Sequence, residues 1–336
     1  MELLFIKLGA VGDVVMALPA IIAAHKTLDH VRITWVCGSS VKPLLASVDG
    51  IDEIVEVNDQ RLLRGNVFEK IYEVIHLWYK LAGRVFDTVA TGHGDARYQM
   101  LSWGIRARAR RTFSNTSRRW PVPGRYHGSE YVRLLTGNLE PGRTDLVFPT
   151  IAAMLPTHLL DAKDLNRNVV VLVPGGARNL LADDAVRRWP VSKYVALAKK
   201  LVAANYLVLI AGGAGDEWVS SEFQGIEIKN LIGQTSLLEL IGLFQSCQVV
   251  VTHDSGPMHL AIMARTKLVA LFGPTNPYEK VLPDYPGVRV LWGGRELSCR
   301  PCYDGKSYAN CSNNLCLADI SEDKVFGVIT EVLSIE

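Results

Sequence analysis

Residues 168–177 read NVVVLVPGGA. A run this rich in valine and leucine, ended by Pro-Gly-Gly, fits a strand buried on both faces that delivers the chain to a tight turn. The amino terminus repeats the arrangement. Residues 2–7 (ELLFIK) form an apolar run, residues 8–12 (LGAVG) a glycine-containing turn, and residues 14–28 an apolar-periodic helix. Outward from these stretches, apolar runs and amphipathic segments alternate. Strands are predicted over 31–37, 53–57 and 86–90, with helices over 67–82 and 127–137. The second half predicts strands over 206–211, 248–252 and 267–272, and helices over 192–204, 236–246 and 256–265. This alternation implies βαβ units and parallel sheets.

Residues 141–168 break the rhythm with Pro141, Gly142, Pro149 and Pro156, and carry the expected linker. The predicted architecture is α/β, with two Rossmann-like domains facing across a cleft, over residues 1–155 and 166–320. A terminal helix within 321–336 is expected to return to the first domain.

The 36 basic and 34 acidic residues nearly cancel, to +2 over 336 residues. That balance argues against a bulk electrostatic nucleic-acid binder and against a disordered chain. The longest apolar run, residues 14–24, is interrupted by Pro19 and falls well short of the roughly 20 residues a bilayer span needs. The first residues lack a basic stretch and a small-residue cleavage site, so a cytoplasmic location is expected.

The turns indicate chemistry. Gly9-Ala-Val-Gly12-Asp13 is not a dinucleotide fingerprint, which needs a third glycine. Asp13 falls where a strand ends and a helix begins, the edge that faces ligands in open α/β sheets; it equally suits a helix N-cap. The second half carries three comparable turns. They are Gly175-Gly176 followed by Arg187-Arg188, Gly212–Gly215 followed by Asp216 and Glu217, and His253-Asp254-Ser255-Gly256 opening a helix. Backbone N–H groups and the positive end of a helix dipole suit a diphosphate, and an acid after a glycine turn suits ribose hydroxyls. Together the turns predict a nucleotide-diphosphate pocket.

Four of the six cysteines cluster as Cys299-x2-Cys302-x8-Cys311-x4-Cys316. Reduced packing, a structural metal and disulfides all fit that spacing. Cys37 and Cys247 read as small buried hydrophobes.

LGAVGDVVMALPAI, VPGGARN with RRWP, GGAGDE, IGQTSLLELIGLFQSCQVVVTHDSGPMHLA and FGPTNP together resemble the family-9 glycosyltransferases, the ADP-heptose:lipopolysaccharide heptosyltransferases and their relatives. The four-cysteine tail looks like that of many members. The resemblance implies a GT-B fold, with the acceptor on the N-terminal half and the nucleotide sugar on the C-terminal half. It makes Asp13 the catalytic carboxylate. Arg187 falls at a position, usually Lys, that touches the donor phosphates. Asp254, Ser255, Gly256 and His259 match the diphosphate motif, Thr235 a residue beside the adenine, and Glu217 or Asp216 the ribose-binding acid. Gly175-Gly176 stands where Pro-Gly-Ala is more usual.

The expected reaction is inverting transfer of a heptose from ADP-heptose to a lipopolysaccharide inner-core acceptor, with Asp13 as general base and no cofactor. No Asp-x-Asp triplet occurs, so no metal is expected on the diphosphate. Two alternatives are a family relative using another sugar and a nucleotide-binding oxidoreductase. The latter lacks the third glycine and the acid about 20 residues on. Residues 106–126 hold seven arginines and no acid. They read as a solvated segment, part of it a strand, or as a patch for a phosphorylated glycolipid at the inner membrane's cytoplasmic face. Arg118 and Arg119 lead that patch, Arg61 and Arg64 extend it, and His127 adjoins it. No nucleic-acid partner is expected.

Overall fold

The computed structural model describes residues 1–334 apart from 117–121, 166, 283 and 305–306. By its contacts the chain divides into two compact units. One holds Met1–Ala152 with Asn179–Leu181, the other Ala153–Arg178 with Ala182–Glu336.

In the first unit, five parallel strands are built from β1 (Glu2–Ile6), β2 (Arg32–Gly38), β3 (Glu53–Val57), β4 (Val85–Thr91) and β5 (Arg106–Thr112). Their order is β3-β2-β1-β4-β5. The chain moves one way from β1 and then returns to add β4 on the other side, so β1 and β4 flank a topological switch point. The main helices are α1 (Val11–Ala17), α2 (Pro19–Thr27), α3 (Val67–Lys80) and α4 (His127–Thr136). One helix was expected over 14–28. Two form, because Pro19 has no N–H to donate and serves as an early position of the second. One face of the sheet packs Leu4, Ile6, Val36 and Val89 against Val74 and Leu77 of α3.

The arginine-rich segment is in part the edge strand β5, paired in parallel with β4. Its charges are tolerated because several are used internally. Arg108 pairs with Asp87 at 2.9 Å, Arg110 donates to Ser102 O and Ile105 O, and Arg111 donates to Leu135 O at 2.6 Å. Arg125 reaches buried Glu130 at 2.9 Å. Most side chains of this strand are nonetheless exposed, as expected of a solvated segment that is part strand. Arg118 and Arg119 lie outside the described residues.

The second unit has six parallel strands, β6 (Val169–Val173), β7 (Leu207–Ile210), β8 (Lys229–Asn230), β9 (Val249–His253), β10 (Leu268–Phe272) and β11 (Val288–Trp292). Their order is β11-β10-β9-β6-β7-β8, which places the switch point between β6 and β9. Helices α5 (Val191–Ala203), α6 (Leu237–Ser246), α7 (Gly256–Met263) and α8 (Glu322–Ser334) accompany it. All five residues of β6 are buried, as its composition predicts.

The terminal helix α8 does not follow the expected return. Its Val325 and Ile329 are buried in the second unit's core with Leu197 and Leu201 of α5. The buried Trp189 ring secures the chain just before it, donating to Ile320 O at 3.0 Å.

Candidate active site

Each switch point gathers side chains that are distant in sequence. At the carboxyl edge of β1, Asp13 sits in the first turn of α1. The N-cap is Ala10, with no side-chain cap bond, so the capping alternative for Asp13 does not hold. Instead Lys7 Nζ donates to Asp13 Oδ2 at 2.9 Å. The Lys7 side chain is 4% exposed and that of Asp13 41%, so the ammonium is buried and the carboxylate faces outward. A buried ammonium needs a partner, and this pairing fixes the direction of the carboxylate. Lys7 Nζ also lies 5.7 Å from the centre of the Tyr131 ring.

The neighbouring strand contributes His93 just past the end of β4. Its Nε2 accepts the Leu8 N–H at 3.0 Å, and its ring stacks on Tyr98 at 3.8 Å. A nitrogen that accepts cannot carry a proton, so the ring is the neutral Nδ1–H tautomer. Burial holds its pKa well below the ordinary histidine value, the Lys7 charge lowers it further, and Asp13 only partly opposes. Sequence reading found Asp13 and missed Lys7, His93, Tyr98 and Tyr131. The sign available for Lys7 was a lone charge ending an apolar strand.

Arg61 and Arg64, assigned to the acceptor side, lie on the helix Asp59–Arg64. Arg61 stands 3.9 Å from the buried Glu73 carboxylate, and Arg64 donates to Leu180 O. His127 is buried at the start of α4.

At the second switch point three backbones converge. Gly176 (φ +83°) and Ala177 (φ +54°) turn the chain after β6. A methyl group on Gly176 would come 3.3 Å from Ser255 Cβ, so this turn abuts the start of α7. A methyl group on Gly175 would fall 2.4 Å from Asp216 Cγ. Asp216 is buried and accepts Gly176 N–H at 2.8 Å through Oδ1 and Gly213 N–H at 2.9 Å through Oδ2. Its carboxylate therefore ties two glycine turns together and is occupied in doing so. Of the two candidate ribose acids, Glu217 is the exposed one. Thr235 follows Gly233, whose N–H bonds Gly212 O at 2.9 Å, which places it on the rim of the same turn.

Ser255 is the N-cap of α7, yet its side chain makes no cap bond; its hydroxyl lies 3.4 Å from Thr252 Oγ1. His259 is buried one turn into the helix. Arg187 stands 3.1 Å from Asp184 and 3.6 Å from the buried Asp254. Burial would raise the Asp254 carboxyl, but Arg187, with help from Lys280, holds it below the usual range. Arg187 thus neutralises a carboxylate beside the helix start, a role the sequence did not suggest. Arg188 braces the glycine turn, donating to Gly176 O at 2.9 Å. The start of α7, with its adjacent acid neutralised, offers backbone N–H groups that can hold an anion.

Cys299, Cys302, Cys311 and Cys316 line one cavity of about 240 Å³. All six cysteines are free thiols, which sets aside the disulfide alternative. Among the described residues no group of three or more His, Cys, Asp or Glu is arranged as a metal site. Burial pushes the Cys302 and Cys316 thiols up.

The sheet orders and turns have counterparts in known proteins. The chain is similar to the crystal structure of a family-9 glycosyl transferase from Veillonella parvula, with a TM-score of 0.76 at 21% identity over 99% of this chain and 97% of that one. It is also similar to the Escherichia coli heptosyltransferase WaaC with ADP-2-deoxy-2-fluoro heptose, with a TM-score of 0.69 at 16% identity over 98% and 99%. These likenesses show the fold class, GT-B. In sequence it is 38% identical over 122 residues to lipooligosaccharide heptosyltransferase 2 of Haemophilus influenzae, a stretch covering 34% of this chain and 35% of that protein. The pattern of glycosyltransferase family 9 (heptosyltransferase) matches residues 140–311, just over half the chain. That stretch contains the strands, the glycine turns and the α7 start that build the second switch point, and on this match the chain belongs to glycosyltransferase family 9.

Proposed function

We propose that the protein transfers a heptosyl residue from ADP-heptose to a hydroxyl of a lipopolysaccharide inner-core acceptor, with inversion, at the cytoplasmic face of the inner membrane. The donor's diphosphate packs against the Gly175-Gly176 turn and is held by the N–H groups of the α7 start at Ser255-Gly256. Arg187 keeps Asp254 from repelling that anion, Glu217 takes the ribose hydroxyls, and Thr235 and His259 complete the pocket. The acceptor oxygen attacks the anomeric carbon opposite the diphosphate. As that C–O bond forms, the bond to the β-phosphate breaks, its electron pair leaves with ADP, and the hydroxyl proton passes to Asp13.

Support for this reading comes above all from the outward-facing Asp13 carboxylate, held by buried Lys7 at 2.9 Å. A carboxylate fixed in direction at a sheet's ligand edge is what a positioned general base requires. No described helix is long and apolar enough to cross a membrane.

Calorimetry and a transfer assay test the proposal together. ADP should bind more tightly than UDP or NADH. Asp13→Asn should keep ADP affinity within about twofold and lose transfer by about 10²–10⁴-fold. Equal loss of ADP affinity and transfer, or tighter binding of NADH than ADP, would overturn it.

A further inference from the structure

The outer face of α3 has an unusual composition for a surface. Phe68 is 84% exposed and Tyr79 77% exposed, with Ile71, Tyr72 and Ile75 between them on the same stripe. Trp103, 67% exposed, stands beside this stripe across a cavity of about 470 Å³ that Ile71 and Ile75 also line. Contiguous exposed apolar surface of this kind marks an interaction face.

The charged residues that line the cavity, Lys70 and Arg97, are both basic. Arg97 is bonded to Asp95, and the Lys70 ammonium has no partner among the described residues. The two acids of α3 are turned to other work. Glu69 closes the capping box with Asn66, and buried Glu73 accepts the Asn58 N–H. Aromatic side chains among cations match the zone where lipid headgroups meet acyl chains. A second copy packed symmetrically on this face would bring the same cations toward each other. Tyr98 gives the face its link to the chemistry, since it lines the cavity and also stacks on His93 at the β1–β4 edge.

We propose that the outer face of α3, with Trp103 and the cavity beside it, is the surface by which the protein docks on a bilayer containing anionic lipid. This rests on the lipid-linked acceptor reading above. Docking there brings the membrane to the side of the unit that carries Tyr98.

The test uses the full-length protein and phosphatidylcholine vesicles with and without phosphatidylglycerol. The wild-type protein should float with the anionic vesicles, less so at high salt. Phe68→Ser/Tyr72→Ser/Tyr79→Ser, all at exposed positions, should keep its Tm and weaken vesicle association by about tenfold or more. Lys70→Glu should weaken association with phosphatidylglycerol vesicles selectively. The triple variant should lose transfer to a full-length acceptor in vesicles and retain transfer to a deacylated acceptor in solution. Vesicle association equal to wild type in the triple variant overturns the proposal. So does a wild-type dimer that floats with no vesicle and becomes monomeric in that variant, which would assign the face to a second copy. Vesicle association by a wild-type protein that transfers nothing to the deacylated acceptor supports the surface and sinks the heptosyl-transfer reading instead.

Discussion

Gly175 has no room for a methyl group, because one would stand 2.4 Å from the carboxylate carbon of Asp216. Gly213, at the other end of the same tie, is different. Its φ is −77°, and a methyl group there would meet only Asp216 Oδ2, at 3.9 Å. Gly175→Ala should therefore cost about 1–3 kcal/mol in urea unfolding and weaken ADP binding, while Gly213→Ala stays close to wild type. Equal behaviour of the two variants would show that the tie does not shape the pocket. The glycines were legible in the sequence because a turn after a buried strand demands them. The work of Asp216 was not, because one of its partners, Gly176, lies 40 residues earlier. Lys7, His93 and Tyr131 escaped notice for the same reason. They meet only once β4 crosses over to pair with β1.

At the scale of elements, the reading succeeded where composition and burial agree. The fully buried β6 is one such case, and so is α3, whose Asn66–Glu69 capping box marks its start. At β5 a partly stranded, solvated segment was legible, but the partners of its arginines were not. Arg110 and Arg111 reach backbone carbonyl groups, and no local pattern announces such acceptors. Arg111 is informative. It donates to Leu135 O near the carboxyl end of α4, just before Gly137 ends that helix in the left-handed conformation. Arg111→Ala should cost about 1–2 kcal/mol, for the lost bond and the lost cation at a helix end. Arg106→Ala, at the exposed start of the same strand, should change stability by no more than about 0.5 kcal/mol. Thermal denaturation of the pair checks this, and equal small effects would return the whole segment to a solvated face.

Across the whole molecule, each unit keeps a neutral histidine near its switch point. Burial and the Lys7 charge depress His93, and burial with Arg187 pushes His253 down to about 3. His253 is buried, with its Nδ1 3.2 Å from the Tyr194 hydroxyl. On unfolding, both rings regain ordinary basicity and take up protons below about pH 6.5. The unfolded chain then binds more protons than the folded one, so stability falls as pH falls. For His253 the loss between pH 7 and pH 5 should be about 2 kcal/mol, and His93 adds a loss of the same sign. Urea unfolding at the two pH values measures it. His253→Gln should flatten the dependence, and an unchanged slope in that variant would show that this ring is not held neutral. Neither histidine's role was visible in the sequence, since neutrality is imposed by the packing around it.

The Asp216 tie bears on how such a pocket changes over time. Two loops that hydrogen-bond to one carboxylate cannot drift separately, because a shift in either strands an oxygen or an amide that the other has arranged. Replacing the turn after β6 alone, to admit a different nucleotide, would leave the turn after β7 pulling on a partner that has moved. Anyone grafting donor preference from a relative should therefore transplant both turns together with the aspartate. Lineages that change donors should likewise show these three pieces altering in concert.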